Sequence, residues 1–389
     1  MEIIEVLSKK DIKAFHQLPH AIYAGDKRWV PQPHVLVEAM FNLQENSSLK
    51  NGSVCRWIVK DEGEVAGRIA AFVVDAYASS FEQPTGGIGF FECIDNQQVA
   101  NLLFDTATKW LRELKMEAVD APINIGENFF NWGVLTKGFG KQPTYGMPYN
   151  KKYYQYLYKD FGFQTYYEQF TYQLDIKNPD LPERFWKIAE WVAKKPNFTY
   201  EKFSFHRKEK YVQDFMQIYE QAWAKHDNHK RIDAEDLLKV IEDSKFILEE
   251  DFIWFVYHSG EPVAAFMAIP DVNQLFRKVP SGKLNAWNVL KLMWYKKRKT
   301  ITRCRVLMMG VVPKFQRSGL ESAIFYRMRN VLREKKWYNE MELSWVGDFN
   351  PKMIALFEAV GGVRDRKHKT LRYMFDQSKN VERAKITID

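Results

Sequence analysis

A β-branched run that stops at a proline and gives way to a helical pattern constrains this chain more than any other feature. It reads Val311-Val312-Pro313-Lys314-Phe315-Gln316-Arg317-Ser318-Gly319-Leu320-Glu321-Ser322. Proline ends the strand, glycine permits a tight turn, and the pattern that follows predicts a helix from Leu320 to about Lys335. Leu320, Ile324, Met328 and Val331 fall on one apolar stripe of that helix. The first-turn amides have no partner within the helix and carry the positive end of its dipole, so the turn offers a site for a phosphate or pyrophosphate. Gly319 lets backbone and anion approach closely.

The elements downstream continue the alternation. Met341 to Val346 reads as a strand, and Asn350-Pro351 opens a short helix that ends at Gly361-Gly362. The basic alternating segment Thr370 to Phe375 reads as a last strand. A length of 389 residues implies two or more domains, and a composition 46% hydrophobic and 27% charged supplies a core of normal size.

Three cysteines, Cys55, Cys93 and Cys304, have neither paired nor metal-type spacing, which favours a reduced compartment and no metal. The start of the chain lacks a secretion signal, and no run approaches the ~20 apolar residues of a membrane span. A cytoplasmic protein with no membrane span is expected. A net charge of +8, spread along the chain, suits an anionic ligand without implying a nucleic-acid partner.

The chain also repeats itself. Arg56 to Lys60, a Glu62-Gly63-Glu64 turn and Val65 to Val74 parallel Ile253 to Tyr257, Gly260-Glu261 and Val263 to Ile269. A helix from Val99 to Lys115 parallels Leu320 to Lys335, and Asn150 to Gly162 parallels Asn350 to Gly362. Three landmarks in one order, at an offset of roughly 200 residues, point to a duplication. Their drift places an insertion within Val272 to Thr300 of the second copy, and a compensating one between Ile123 and Tyr145 of the first.

The Gln-x-x-Gly turn after a Val-x-Pro strand resembles the acyl-CoA-binding motif of the GNAT superfamily of N-acyltransferases, Q/R-x-x-G-x-G/A. Gln316 and Gly319 match; Glu321 stands where the second small residue is expected. With the repeat, the resemblance implies an α/β (α+β) protein of two tandem GNAT-like units, each a mixed, mostly antiparallel sheet flanked by helices. The expected division is residues 1–177, a degenerate unit, and 178–389, the unit with the motif, joined at Asn178-Pro179-Asp180-Leu181-Pro182. The implied activity is direct transfer of an acyl group from acetyl-CoA or another acyl-CoA to a small-molecule or peptide amine.

The donor site would comprise Met309, Val311, Val312, Gln316, Arg317, Ser318, Gly319, Leu320, Glu321 and Ser322, with Asn350 capping its helix and available to the ligand. Backbone amides near Met309 to Val311 would hold the oxyanion. Glu342 and Asp348 are the candidate bases for the acceptor ammonium. Where the family often carries a tyrosine that protonates the thiolate, this chain has Phe357, leaving solvent, Tyr326 or Tyr373 as proton source. Two other readings stay open: an aminoacyl- or long-chain acyltransferase of tandem GNAT-like fold, and a non-catalytic acyl-CoA-binding or scaffold protein.

Several features are expected to be structural. Asp95 is placed at the helix cap of the first copy, where it would occupy the amides that a pyrophosphate needs, so CoA is expected only at the second copy. Gly86-Gly87-Ile88-Gly89 reads as a turn, and the tyrosine-rich stretches Tyr153 to Tyr156 and Tyr166-Tyr167 as core and interface. His226 and His229 read as exposed loop residues. Lys296-Lys297-Arg298-Lys299 reads first as a solvated helix end, and second as a membrane-surface or polyanion contact.

Overall fold

The computed structural model describes residues 1–126, 130–176, 183–223, 233–316 and 318–386. The joint Asn178–Pro182, the pair His226 and His229, and Arg317 lie outside the described residues.

The strands are β1 Glu2–Glu5, β2 Ser53–Asp61, β3 Glu64–Val73, β4 Thr85–Cys93, β5 Ala118–Ala121, β6 Val134–Lys137 and β7 Gln164–Asp175. They continue as β8 Phe198–Lys202, β9 Ile253–His258, β10 Glu261–Pro270, β11 Arg303–Val311, β12 Glu340–Gly347 and β13 Val363–Met374. The hairpins β2–β3 and β9–β10 turn through Glu62-Gly63 (φ +49° and +88°) and Ser259-Gly260 (φ +52° and +87°). Positive φ at both central residues matches the twist of the flanking strands, so the repeated Gly marks the same turn in both copies.

Between β4 and β5 runs the helix Gln97–Glu113; between β11 and β12 runs Leu320–Glu334. Leu320, Ile324, Met328 and Val331 are buried along one face of the latter, and Val99, Leu103, Ala107 and Leu111 along the former. Each such side chain taken from water is worth roughly 1.5–3 kcal/mol when large, which fastens both crossovers to the sheet. The two crossovers give the only parallel pairs among the described strands, β4 with β5 and β11 with β12; every other ladder is antiparallel.

All thirteen strands join one sheet in the order β1-β2-β3-β4-β5-β13-β7-β12-β11-β10-β9-β8, with β6 also paired to β13. The order reads the same from both edges. At its centre the last strands of the two copies have changed places: β7 lies beside β12, and β13 lies beside β5. They pair with each other from Val363↔Gln173 to Arg372↔Gln164.

The exchange is fixed by a buried charge pair. Arg372 of β13 donates from Nε to Asp120 Oδ1 at 2.6 Å and from Nη2 to Oδ2 at 2.8 Å, with Asp120 fully buried on β5. Tyr77 donates to the same carboxylate, and the guanidinium stacks 3.8 Å from the Tyr166 ring.

Gly86 to Gly89 lie inside β4 and do not form the expected turn. A Cβ at Gly89 would come within 2.0 Å of the Ile123 carbonyl, so the glycines there serve close backbone packing. Of the tyrosines of 153–156, Tyr154 is buried against Phe91 and Tyr153 is partly buried, as expected, while Tyr156 is exposed. Asp120→Ala would leave Arg372 as a buried unpaired cation and should lower unfolding stability by about 3–5 kcal/mol in urea. A loss under about 1 kcal/mol would mean that the pair does not anchor the exchanged strand.

Candidate functional site

β11 and β12 begin as partners and then part. Their ladder runs from Arg303↔Glu340 to Val306↔Leu343 and stops, while β11 continues to Val311 and β12 to Gly347. A bulge at Leu307 breaks the β10–β11 register at the same level, and another at Ser344–Trp345 breaks the β7–β12 register. Bulges increase local twist and bend a strand away from its neighbour. The result is a wedge whose β11 wall carries Leu307, Met308 and Met309, all partly exposed, and whose unpaired β11 edge faces the gap.

At the open end of β11 the chain turns through Pro313–Phe315 into the helix Leu320–Glu334. Val311 and Val312 are buried, and the Val312 amide donates to the Val263 carbonyl at 2.9 Å. The Gln316 side chain folds back to donate to the Val311 carbonyl at 3.2 Å, and Ser318 Oγ donates to the Phe315 carbonyl at 2.6 Å. Gly319 occupies the cap position at φ +83°, and no side chain caps the helix. Its missing Cβ would lie 3.2 Å from Val192, so a larger residue meets both strain and the helix Glu183–Ala193.

Glu321, at the second helical position, is half-buried; its carboxylate accepts from its own amide, and burial raises its pKa above the ordinary carboxylate value. Ser322 is half-buried on the next position.

The corresponding places in the first copy are closed. β4 and β5 pair only through Gly87↔Asp120, but the chain beyond stays against β4: the Ile123 amide donates to the Ile88 carbonyl at 2.8 Å, and Asn124 Oδ1 accepts from the Phe90 amide at 3.3 Å. The helix cap is Asn96, not Asp95. Its side chain accepts from the amides of Gln98 and Val99, because the chain enters the helix one residue later than expected.

Glu342 lies on β12 opposite Arg305, one pair before the wedge opens. It is buried, accepts from Thr144 Oγ1, and stands 3.9 Å from Arg305 Nε. Arg305, fully buried, also donates to the Tyr145 carbonyl at 2.8 Å and to Ser344 Oγ at 3.1 Å. Next to them Asp271 binds Arg303 at 2.7 Å and accepts from the Tyr145 amide at 2.8 Å. One wall of this region, residues 142–147, thus belongs to the first copy.

Arg303, Arg305, Thr144 and Asp271 were not picked out from sequence. Arg303 and Arg305 just before the Val311 run, and Glu340 and Glu342 at the start of the next, carried a legible signal of alternating opposite charge. Thr144 and Asp271 carried none, since only the fold brings them there.

Asp348 stands past the end of β12, held by Arg383 and by an exchange with β7, its Oδ1 accepting from the Glu168 amide at 3.1 Å. Asn350 caps its helix, accepting from the Met353 amide at 3.1 Å. Phe357 is buried against Tyr172 with ring centres 5.6 Å apart. Tyr373 is not brought to the wedge: it stacks on Phe161 and Phe163, in register with Val119 of β5. Among the described residues no group of three or more His, Cys, Asp or Glu could hold a metal ion.

The raised Glu321 carboxyl gives a signed expectation. As pH rises through the range between the unfolded and folded pKa, the unfolded chain releases its proton first, so stability falls with rising pH across that window. Glu321→Gln should remove this fall, making the variant relatively more stable at neutral than at acid pH in urea denaturation. A stability difference that does not change with pH would show that the carboxyl carries no burial penalty.

No family model matches the chain. It is 23% identical over 371 residues to Protein YghO of Escherichia coli K12, covering 93% of each chain, and 25% identical over 379 residues to a bacterial ceramide synthase of Caulobacter vibrioides, covering 96% of each. Its fold matches a glucosamine N-acetyltransferase region of a fungal multi-domain β-N-acetylglucosaminidase at TM-score 0.60 and 12% identity, covering 96% of this chain but 38% of the length of that protein. It matches a tandem GNAT protein from the clavulanic acid biosynthesis pathway at TM-score 0.57 and 12% identity, over 96% of this chain and 98% of the other. The duplicated sheet, with a helix crossing between the two parallel strands of each copy, is accordingly that of a tandem protein of the GNAT fold.

Proposed function

We propose that the protein is an acyl-CoA-dependent N-acyltransferase that moves an acyl group directly to an amine. The carrying observation is the wedge between β11 and β12 that leads into an uncapped helix N-terminus at Gly319. A pyrophosphate at Gln316 to Ser322 would take first-turn amides of that helix, displacing the Glu321 carboxylate from its own amide. The pantetheine arm would then run along the unpaired edge of β11, pairing with it as a strand would. That route brings the thioester to the level of Leu307 to Met309, where β11 amides can stabilise the oxyanion. The first copy offers no equivalent site, since its wedge is closed and its helix capped.

Transfer requires the amine to lose a proton before its nitrogen attacks the thioester carbonyl. Glu342 is the proposed base, because it lies in the wall of the wedge where the strands part, whereas Asp348 is held by Arg383 and β7. Thr144 and Arg305 position its carboxylate. Phe357 has no proton to give, so the CoA thiolate leaves to solvent. The soluble amine acceptor would enter beside residues 142–147, on the wall supplied by the first copy. The cytoplasm remains the proposed location.

A second reading concerns the donor's length. A ceramide is a long-chain amino alcohol bearing an amide-linked fatty acyl group, and the relative so named matches 96% of this chain. That likeness supports a long-chain acyl-CoA and an amphiphilic amine as the specific pair, in place of acetyl-CoA and a small amine.

A thermal-unfolding scan with acetyl-CoA and with palmitoyl-CoA separates these readings. A donor at a hundredfold its dissociation constant adds about 2.7 kcal/mol, a rise of roughly 5 °C or more. Ser322→Asp should abolish the rise, since a second first-turn carboxylate, added to that of Glu321, suits the helix dipole but repels the ligand. No rise with either donor in folded protein would refute the acyl-CoA site. Glu342→Gln should lower kcat by about a hundredfold or more while the donor-induced rise persists; unchanged kcat would remove Glu342 as base.

A further inference from the structure

The insertion within residues 272–300 folds as two helices, Asn273–Phe276 and Ala286–Lys297. The second is turned the wrong way for a helix on a water-exposed surface, which normally shows its polar side to solvent. Its inner stripe is Asn288, Leu292, Tyr295 and Lys296. Only Leu292 of these is fully buried, and Lys296 reaches inward to donate to the Phe246 carbonyl at 2.5 Å.

The outer face carries Trp287 (81% exposed), Leu290 (58%), Met293 (54%) and Trp294 (49%). Between and after them stand exposed Lys291, Lys297 and Arg298, with Arg298 stacked 4.3 Å from the Trp294 ring. The expected solvated helix end holds for Lys297, Arg298 and Lys299, which are exposed, but Lys296 points inward and the surface beside the run is apolar.

From these observations we infer that the outer face of Ala286–Lys297 is a docking surface for an anionic phospholipid bilayer, with the helix lying in the plane of the headgroups. Indole rings and aliphatic side chains enter the acyl boundary, and the lysines and arginine meet lipid phosphates. Charge complementarity selects this occupant. Between Asp271 and Glu321 the sequence contains no aspartate or glutamate, so the helix and the segments flanking it bring cations and no acid of their own to an anionic bilayer.

The apolar area extends past the helix. Gly282 accepts from the His34 amide at 2.9 Å, which ties the turn before the helix to His34–Phe41, where Val35 (58%) and Leu36 (40%) are also exposed. A nucleic acid would meet the same cations, but it offers nothing for Trp287, Leu290 and Met293. No described helix is long and apolar enough to cross a membrane, and lying on the surface requires none.

The test is flotation of the full chain with vesicles of phosphatidylcholine alone and of equimolar phosphatidylcholine and phosphatidylglycerol. The wild type should float with the anionic vesicles, more weakly as salt is raised. Each basic residue at an anionic surface adds about fivefold to partitioning. Lys297→Glu/Arg298→Glu should therefore cut binding at least about tenfold, and Trp287→Ser/Leu290→Ser should cut it comparably. Both variants should keep the wild-type melting temperature and any rise with acyl-CoA, which separates this surface from the donor site.

Absence of wild-type flotation with anionic vesicles overturns the inference, as does binding by both variants at the wild-type level. It is also overturned if sedimentation velocity shows a wild-type dimer that Trp287→Ser/Leu290→Ser makes monomeric while the wild type ignores vesicles; the face would then be an interface between copies.

Discussion

The ladder between β7 and β13 is the constraint on which the rest of the molecule depends. Each strand completes the sheet of the other copy, so neither half presents a finished edge by itself. Unpaired strand edges are costly to bury and prone to wrong pairing. Exchange resolves that by making the two edges each other's partners. It also fixes the angle between the copies. Buried charge then becomes usable at the junction. Asp120 with Arg372, Asp271 with Arg303, and Glu342 with Arg305 are each paired within the low-dielectric interior, where an unpaired charge would cost several kcal/mol.

A fixed junction lets one copy serve the other. Residues 142–147 come from the first copy, yet their backbone and side chains bind Asp271, Arg303, Arg305 and Glu342 of the second. The two copies share strand order and hairpin turns and have opposite fates where their parallel strands part. In the first, residues after β5 remain hydrogen-bonded to β4, and glycines in β4 allow that close approach. In the second, bulges at Leu307 and at Ser344–Trp345 bend the strands apart. The same contrast holds at the helices: the Asn96 side chain caps its helix terminus, and Gly319 has no side chain to cap its own. Duplication thus supplied two frames, one closed to packing and one left open.

Much of this was legible in the residues because it rests on local rules. The Leu320-to-Val331 stripe, the Gly-marked hairpin turns, Pro351 at a helix start and Gly361 after its end each follow from helix period, twist or φ, and each is found where expected. Local rules failed where a neighbour distant in sequence decided the outcome. Gly86 to Gly89 look like a turn until Ile123, Phe72 and Leu111 are seen pressing on β4. Asp95 and Asn96 are both good caps, and which one serves depends on how β4 hands the chain to the helix. Tyr373 and Phe357 both lie near the end of the chain, but strand exchange carries the tyrosine into the first copy.

The sequence by itself determined the main alternation of elements, the duplication and the glycine turn that opens the helix Leu320–Glu334, because periodicity, turn chemistry and helix termini are short-range properties of the backbone. Only the tertiary structure decided which copy stays open, which carboxylate lies in the wedge wall and which side of Ala286–Lys297 faces outward. Those outcomes depend on strand pairing across the whole chain and on burial, and burial is a property of neighbours that a residue's own type does not name.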